Sequence, residues 1–246
     1  MGGRIRVGIG GWVFPPWRGS FYPEGLRQKD ELSYVGRHLS ACEINATYYS
    51  RQKPATFAGW AGAVPDGFRF AVKASRACTN RRLLAESGEA VDRFLRQGLV
   101  ELGDRLGPIL WQFMPTKAFD PDDFRAFLAL LPDRIDGLPL RHALEVRHDS
   151  FRDVAFLTMA RDAGAAVVFV DHPDHPRIRG ADVGFSYARL MATQAEEPTG
   201  YAPGAIAHWA DMARGWAGTG DSFVFFIGGA KIRAPAAAQA LIAALR

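Results

Sequence analysis

Short apolar runs, β-branched or aromatic, recur along the whole chain with polar, helix-patterned stretches between them. Eight such runs read as strands: 5–11 (IRVGIGG), 41–49 (ACEINATYY), 68–75 (FRFAVKAS), 107–113 (GPILWQF), 142–148 (HALEVRH), 165–171 (AAVVFVD), 184–190 (GFSYARL) and 222–229 (SFVFFIGG). Amphipathic spacing predicts helices over 83–102, 121–131, 154–163 and 204–216, and an alanine-rich final helix over 235–246. Asp153 stands where the third of these needs an N-cap, and Pro235 suits the first turn of the last. Strand followed by crossover, eight times over, is the pattern of a parallel sheet closed into a barrel. One crossover breaks it. Residues 172–183 are few and carry Pro173 and Pro176, so the connection between strands six and seven is expected to be a loop. A doubly wound sheet would require a glycine fingerprint after the first strand, and Pro15-Pro16 stand where its helix should open. The expected fold is therefore α/β, a single-domain TIM-type (β/α)8 barrel spanning residues 1–246, irregular at the sixth crossover.

Composition narrows the class without naming a function. With 48% hydrophobic residues in 246, a large single core is available and disorder is excluded. No apolar run reaches the roughly 18 residues of a membrane span, and the longest, 165–170, is strand-sized. The N-terminus has no apolar h-region, and Arg6 occupies the position where a myristoylation motif needs Ser or Thr, so a cytoplasmic location with no membrane partner is expected. Cys42 and Cys78 are too few for a disulfide framework or a zinc cage. The net charge of +4 is carried mostly by Arg; only five of 30 cations are Lys, and no basic run exceeds a few residues. A dedicated nucleic-acid footprint would cluster more strongly, so an ordinary solvated surface explains the charge better.

Candidate chemistry comes from strand parity. In a closed barrel alternate residues face the axis, and polar ones near strand C-termini form the site. Strand two offers Glu43, Asn45 and Thr47; strand three Lys73; strand four Gln112; strand five Glu145 and Arg147; strand six Asp171; strand seven Tyr187 and Arg189. Charges inside strands cost several kcal/mol each when unpaired, so their repetition at one end of successive strands needs an explanation. As a set they point to a ligand pocket; individually each has a blander reading. Glu43 with Lys73 or Arg147 suits a structural ion pair, Asn45 and Gln112 suit loop backbone groups, Asp171 suits a cap of the next loop, and Arg189 suits a pair with Asp171. Trp12, Trp17, Phe21 and Tyr22 either floor the pocket or pack the first helix. His148, His172 and His175 lack metal-site spacing, and no motif calls for a cofactor or metal. Cys78 has no activating partner, and there is no serine elbow or P-loop.

At these residues the sequence resembles the YecE-like family, domain of unknown function 72. The matching blocks are Gly8-Ile9-Gly10-Gly11-Trp12 with Trp17 and Phe21-Tyr22-Pro23, then Cys42-Glu43-Ile44-Asn45-Ala46-Thr47-Tyr48-Tyr49. They continue through Pro65, Phe68, Phe70, Val72 and Lys73, then Leu106-Gly107-Pro108 with Leu110, Gln112 and Pro115, and Glu145-Val146-Arg147-His148-Asp149-Ser150-Phe151. The resemblance implies a β/α barrel over nearly the whole chain and no particular reaction. Departures gather at one rim. The family's histidine after the lysine is Asn80 here, its histidine and glycine after strand seven are replaced at Met191 and Ala192, and its two asparagines after strand eight give way to Ile227 and Gly228.

Three functions remain in view. The first is an enzyme for a small anionic ligand, phosphorylated or carboxylated, held at the C-terminal mouth by Lys73, Arg147 and Arg189. Glu43 or Glu145 would then be its acid/base partner, with Trp12, Asn45, Gln112 and Asp171 completing the binding set. The second is nucleic-acid processing with a rim of Arg76, Arg81, Arg82, Arg177 and Arg179, which steep salt dependence would reveal. The third is a binding protein on a catalytically degenerate barrel. Oligomeric state leaves no mark in the sequence.

Overall fold

The computed structural model describes residues 2–246, and eight strand positions alternate with crossovers along them. The strands are β1 (Ile5–Gly10), β2 (Ala41–Ile44), β3 (Arg69–Lys73), β4 (Leu106–Gln112), β5 (His142–Glu145), β6 (Ala166–Val167 and Phe169–Asp171), β7 (Phe185–Leu190) and β8 (Asp221–Phe226). All neighbouring pairs are parallel, and β8 pairs with β1. The ladder runs unbroken from the first half of β6, through β5, β4, β3, β2, β1, β8 and β7, to the second half of β6. β6 closes the ring by dividing itself: Ala166–Val167 bonds β5, and Phe169–Asp171 bonds β7. At the break, Val168 N–H still donates to Leu144 O at 3.0 Å. The expected (β/α)8 barrel is the fold.

Its interior is filled unevenly, and that decides where space remains. Ala41, Ala71, Ala143 and Ala166 face inward opposite Phe185, Tyr187, Phe223 and Phe225, all in one buried cluster with Leu110, Val168 and Val170. Small side chains on one side of the ring admit large aromatics from β7 and β8. At Gly8 even a methyl is excluded, because a Cβ would lie 2.1 Å from the Ala41 carbonyl oxygen. A larger outer cluster, containing Trp17, Phe57, Trp111, Phe124, Phe151 and Phe156, joins the strands to the helices.

The crossovers show where periodicity misled. The helix expected over 83–102 is a 3-10 turn (Leu84–Ser87), an α-helix (Gly88–Leu95) and a second 3-10 segment (Leu99–Arg105). Gly98 separates the last two at φ +124°, and its Cα is so close to Pro54 that a Cβ would sit 2.6 Å from that residue's Cα. Asp153 caps the helix Val154–Asp162 by accepting from Ala155 N–H, as expected. Pro235 stands in the first turn of the final helix, Ala234–Leu245. Residues 172–184 contain no helix, as the two prolines require. A two-stranded hairpin at Arg134–Ile135 and Leu138–Pro139, ahead of β5, went unforeseen. Strands two and five are also shorter than expected. β2 ends at Ile44, and Asn45 and Thr47 lie at and in the short helix Ala46–Tyr49 rather than on strand parity. No helix among the described residues is long and apolar enough to cross a membrane.

Candidate functional site

Parity carries Glu43, Lys73, Gln112, Glu145 and Arg189 to the C-terminal end of the barrel interior, where they form one charged network. Arg189 is its hub. Its Nε and Nη2 donate to the two oxygens of Glu43 at 3.1 and 3.0 Å, and its Nη1 donates to Glu145 Oε2 at 2.5 Å. Tyr187 O–H donates to Glu43 Oε2 at 2.7 Å. Glu145 also takes Arg147 Nε at 2.6 Å, so its two oxygens serve two guanidiniums. Gln112 Oε1 accepts from Arg147 Nη2 at 3.0 Å and Arg189 Nη1 at 3.3 Å. The pairing differs from the sequence expectation: Glu43 binds Arg189, not Lys73 or Arg147, and Arg189 binds the two glutamates, not Asp171.

Glu43, Glu145 and Arg189 are sealed from solvent, so the charges of Glu145 and Arg189 rest on their partners. Burial pushes the Glu145 carboxyl up, but Arg189 and Arg147 together hold it below the ordinary carboxylate range. Burial likewise opposes the Arg189 charge, and the two glutamates overcome it. Tyr187, buried beside Glu43, stays firmly protonated. The hub is a satisfied ion cluster in which both carboxylates are committed.

Lys73 is different. It is 8% exposed, and among the described residues no carboxylate lies within 4 Å of its Nζ. That nitrogen sits 4.1 Å above the Tyr48 ring centroid, and Tyr48 O–H accepts from Asn80 Nδ2 at 3.3 Å. Burial first, and the Arg189 charge second, lower the ammonium to about 8, against partial support from Glu43 and Glu145. Counting the inward ring gives three cations (Lys73, Arg147, Arg189) against two carboxylates, so one positive charge is uncompensated.

Above this ring opens a cavity of about 640 Å³. Lys73, Arg147, Arg189 and Lys231 line it, and no Asp or Glu does. Trp12, Tyr48, Tyr49 and Phe226 supply flat apolar wall, and Asn45 and Gln112 supply amides. Trp12 is braced edge-on by Trp60, with ring centroids 5.3 Å apart, and its carbonyl accepts from Tyr22 O–H at 2.5 Å. Tyr22 and Phe21 support this wall from behind, while Trp17 reaches the cavity itself. Asn45 Nδ2 donates to Glu43 O at 3.4 Å, which ties the start of the Ala46–Tyr49 helix to β2. Ile227 and Gly228, at positions where the family resemblance leads one to expect asparagine, make that part of the rim apolar.

Asp171 does not belong to the site. Counting by twos along β6 places Ala166, Val168 and Val170 inward, so Asp171 faces away from the axis. There it accepts from Arg177 Nη2 at 2.6 Å and Tyr201 O–H at 2.9 Å, pinning the irregular sixth crossover. Lys231 and Tyr48, like the wall residues Tyr49 and Phe226, are cavity residues that sequence reasoning did not single out. Lys231 follows β8 in the 3-10 turn Lys231–Arg233, beyond the reach of strand parity, and its Nζ lies 4.7 Å from the Phe14 ring centroid. Tyr48 stands on the short helix after β2, and its aromatic neighbours gave no sign that it roofs Lys73. Of the histidines, His148 accepts from Ser150 N–H at 3.2 Å in a turn, and His172 and His175 stack on each other. Cys78 is buried, and that raises its thiol to about 12. Among the rim arginines, Arg76, Arg81, Arg82, Arg177 and Arg179 are exposed, with Arg177 committed to Asp171 and Arg81 Nε to the Ala77 carbonyl.

The family model for the protein of unknown function DUF72 matches residues 6–246. A DUF72 family protein from Thermotoga maritima MSB8 is similar in structure, with 24% identity, 97% of each chain covered and a TM-score of 0.76. A DUF72 family protein from Enterococcus faecalis V583 is 19% identical over 98% of this chain and 95% of that one, also with a TM-score of 0.76. SacUVDE shares the fold at 10% identity, with 98% of each chain covered and a TM-score of 0.58. No curated protein matches the sequence significantly. At these identities the structural likenesses concern the fold alone.

Proposed function

The chain belongs to the DUF72 family of proteins of unknown function, and from that premise we propose that it is an enzyme acting on a small anionic molecule bound at the C-terminal mouth. One observation carries the reading: Lys73 is a buried cation without a carboxylate partner, facing a cavity lined by four cations and no acid. A barrel plugged only for stability would pair it, as the same ring pairs Arg189 and Arg147. The phosphate or carboxylate of the ligand takes the place of the missing carboxylate. Arg147 contributes as well, since its Nη1 has no protein partner, and Lys231 approaches from the far wall. The flat wall of Trp12 and Tyr49 favours a ligand with an apolar or planar portion beside its charge.

Acid/base work falls to Lys73. At about 8, its ammonium is close enough to neutrality to give up a proton and take one back. Glu145 is held ionised by two arginines and Glu43 is saturated by Arg189 and Tyr187, so the glutamates set the field in which Lys73 works. The reading is tested by thermal shift with a panel of phosphorylated and carboxylated metabolites. At least one should stabilise the wild type more than it stabilises Lys73→Met. A panel in which no compound shifts the wild type beyond Lys73→Met would remove the anion site.

A further inference from the structure

The opposite mouth of the barrel carries a second, unbalanced charge cluster. Stepping back by twos from the C-terminal network, Lys73–Ala71–Arg69 and Glu145–Ala143–Arg141 put two arginines on inward parity at the N-terminal end. On β1, Gly10–Gly8–Arg6 adds a third. Asp221, at the start of β8, is the carboxylate bonded within this group, accepting from Arg141 Nη1 at 3.1 Å and from the backbone N–H of Arg4 at 3.0 Å. The Arg141 guanidinium lies 5.0 and 5.6 Å from the Phe223 and Phe185 ring centroids, against the lowest layer of the barrel interior.

Two of these arginines, Arg6 and Arg69, have no carboxylate within 4 Å among the described residues, although Asp221 lies near both and Asp104 near Arg69. Arg69 Nη1 donates only to the Phe68 carbonyl, at 3.1 Å. Arg6 is 6% exposed; its Nη1 donates to the Gly67 carbonyl, and its Nε, buried, has no partner. Burial and the neighbouring arginines together hold both guanidiniums below the ordinary arginine range. Leaving a charged donor buried and unused is costly, and in the C-terminal ring every buried guanidinium has a glutamate.

We propose that the N-terminal mouth is a second anion site, taking a phosphate-type oxyanion between Arg6, Arg69 and Arg141. A tetrahedral dianion offers enough acceptors for the unbonded Nε and Nη2 of Arg69 and the unbonded Nη2 of Arg6 and Arg141, in the charge-assisted geometry guanidinium favours. Its distance from the C-terminal mouth, where barrel chemistry resides, makes it a stabilising site rather than a catalytic one. It is independent of the proposed activity.

The test uses Lys73→Met protein, in which the C-terminal site is disabled, with inorganic phosphate against chloride at equal ionic strength. Phosphate at a hundredfold excess over its Kd should raise Tm by roughly 5–10 °C, with one ion bound per chain by titration calorimetry. Adding Arg69→Gln should abolish that shift while circular dichroism shows the fold kept, since Arg69 loses no acid partner. The single Arg69→Gln protein should keep whatever ligand response Lys73 gives. Phenyl phosphate in a parallel arm tells esters from the free ion, and either shift must vanish with Arg69→Gln. Equal effects of phosphate and chloride, or a shift that survives Arg69→Gln, would overturn the proposal.

Discussion

Glu43→Leu removes one arm of the sealed charge network. In the wild type, Glu43 accepts two hydrogen bonds from Arg189 and one from Tyr187, with none of the three exposed by more than 2%. Leucine leaves Arg189 with Glu145 and Gln112 only, and strands the Tyr187 hydroxyl. Breaking a buried pair from one side costs about 3–5 kcal/mol, and an orphaned hydroxyl accounts for ~1–3 of it. For a chain of this length that is a fall in Tm of roughly 6–20 °C. Urea unfolding followed by circular dichroism should show a lower midpoint with an unchanged slope. Removing the opposite partner as well, in Glu43→Leu/Arg189→Met, should cost less than the sum of the single changes by at least ~2 kcal/mol, because Glu145 then keeps Arg147. A Glu43→Leu loss under ~1 kcal/mol, or single effects that add to within ~0.5 kcal/mol, would mean the network is solvated and the burial argument is wrong.

Lys73→Met should be more stable than wild type at pH 7. The folded ammonium at about 8 against 10.5 corresponds to up to about 3 kcal/mol of penalty, full below pH 8 and fading as pH rises toward 10.5. Thermal melts of the two proteins from pH 7 to 10 should therefore converge, and a constant gap would contradict the lowered value. Glu145, held below its ordinary range, stabilises the fold above that range and loses its contribution as pH falls through it, so Glu145→Gln should show a shallower acid limb in a pH series of melts. Asp171→Asn should cost about 1–3 kcal/mol by unpinning Arg177 and Tyr201, yet leave ligand-induced shifts unchanged. A loss of ligand response there would return Asp171 to the site.

Period-two counting was enough to find the barrel and to bring Glu43, Lys73, Gln112, Glu145 and Arg189 to one mouth, because those residues lie on regular strands. Asp171 was misplaced although the same count, run from Ala166, points it outward; its position at a strand end outweighed its parity. The pairing of Glu43 with Arg189 joins β2 to β7, which are separated in the ladder by β1 and β8, and only the closed barrel shows which charges meet across the axis. Lys231 and Tyr48 lay beyond sequence reasoning for another reason. Both sit on short irregular turns after their strands, where no periodicity links a residue to a direction.

The central claim is that Lys73 is a buried cation awaiting an anion, and its own titration tests it most directly. The chain contains only five lysines, so carbon-13 labelling of the lysine ε-carbons gives five resonances, with Lys73 assigned by its loss in Lys73→Met. In the free protein the Lys73 signal should titrate with a midpoint near 8. With a saturating anion from the panel that stabilises the wild type more than Lys73→Met, the midpoint should move up toward the ordinary 10.5, because the ligand supplies the missing negative charge. A free-protein midpoint already at the ordinary value, or one that the anion leaves in place, would contradict the account.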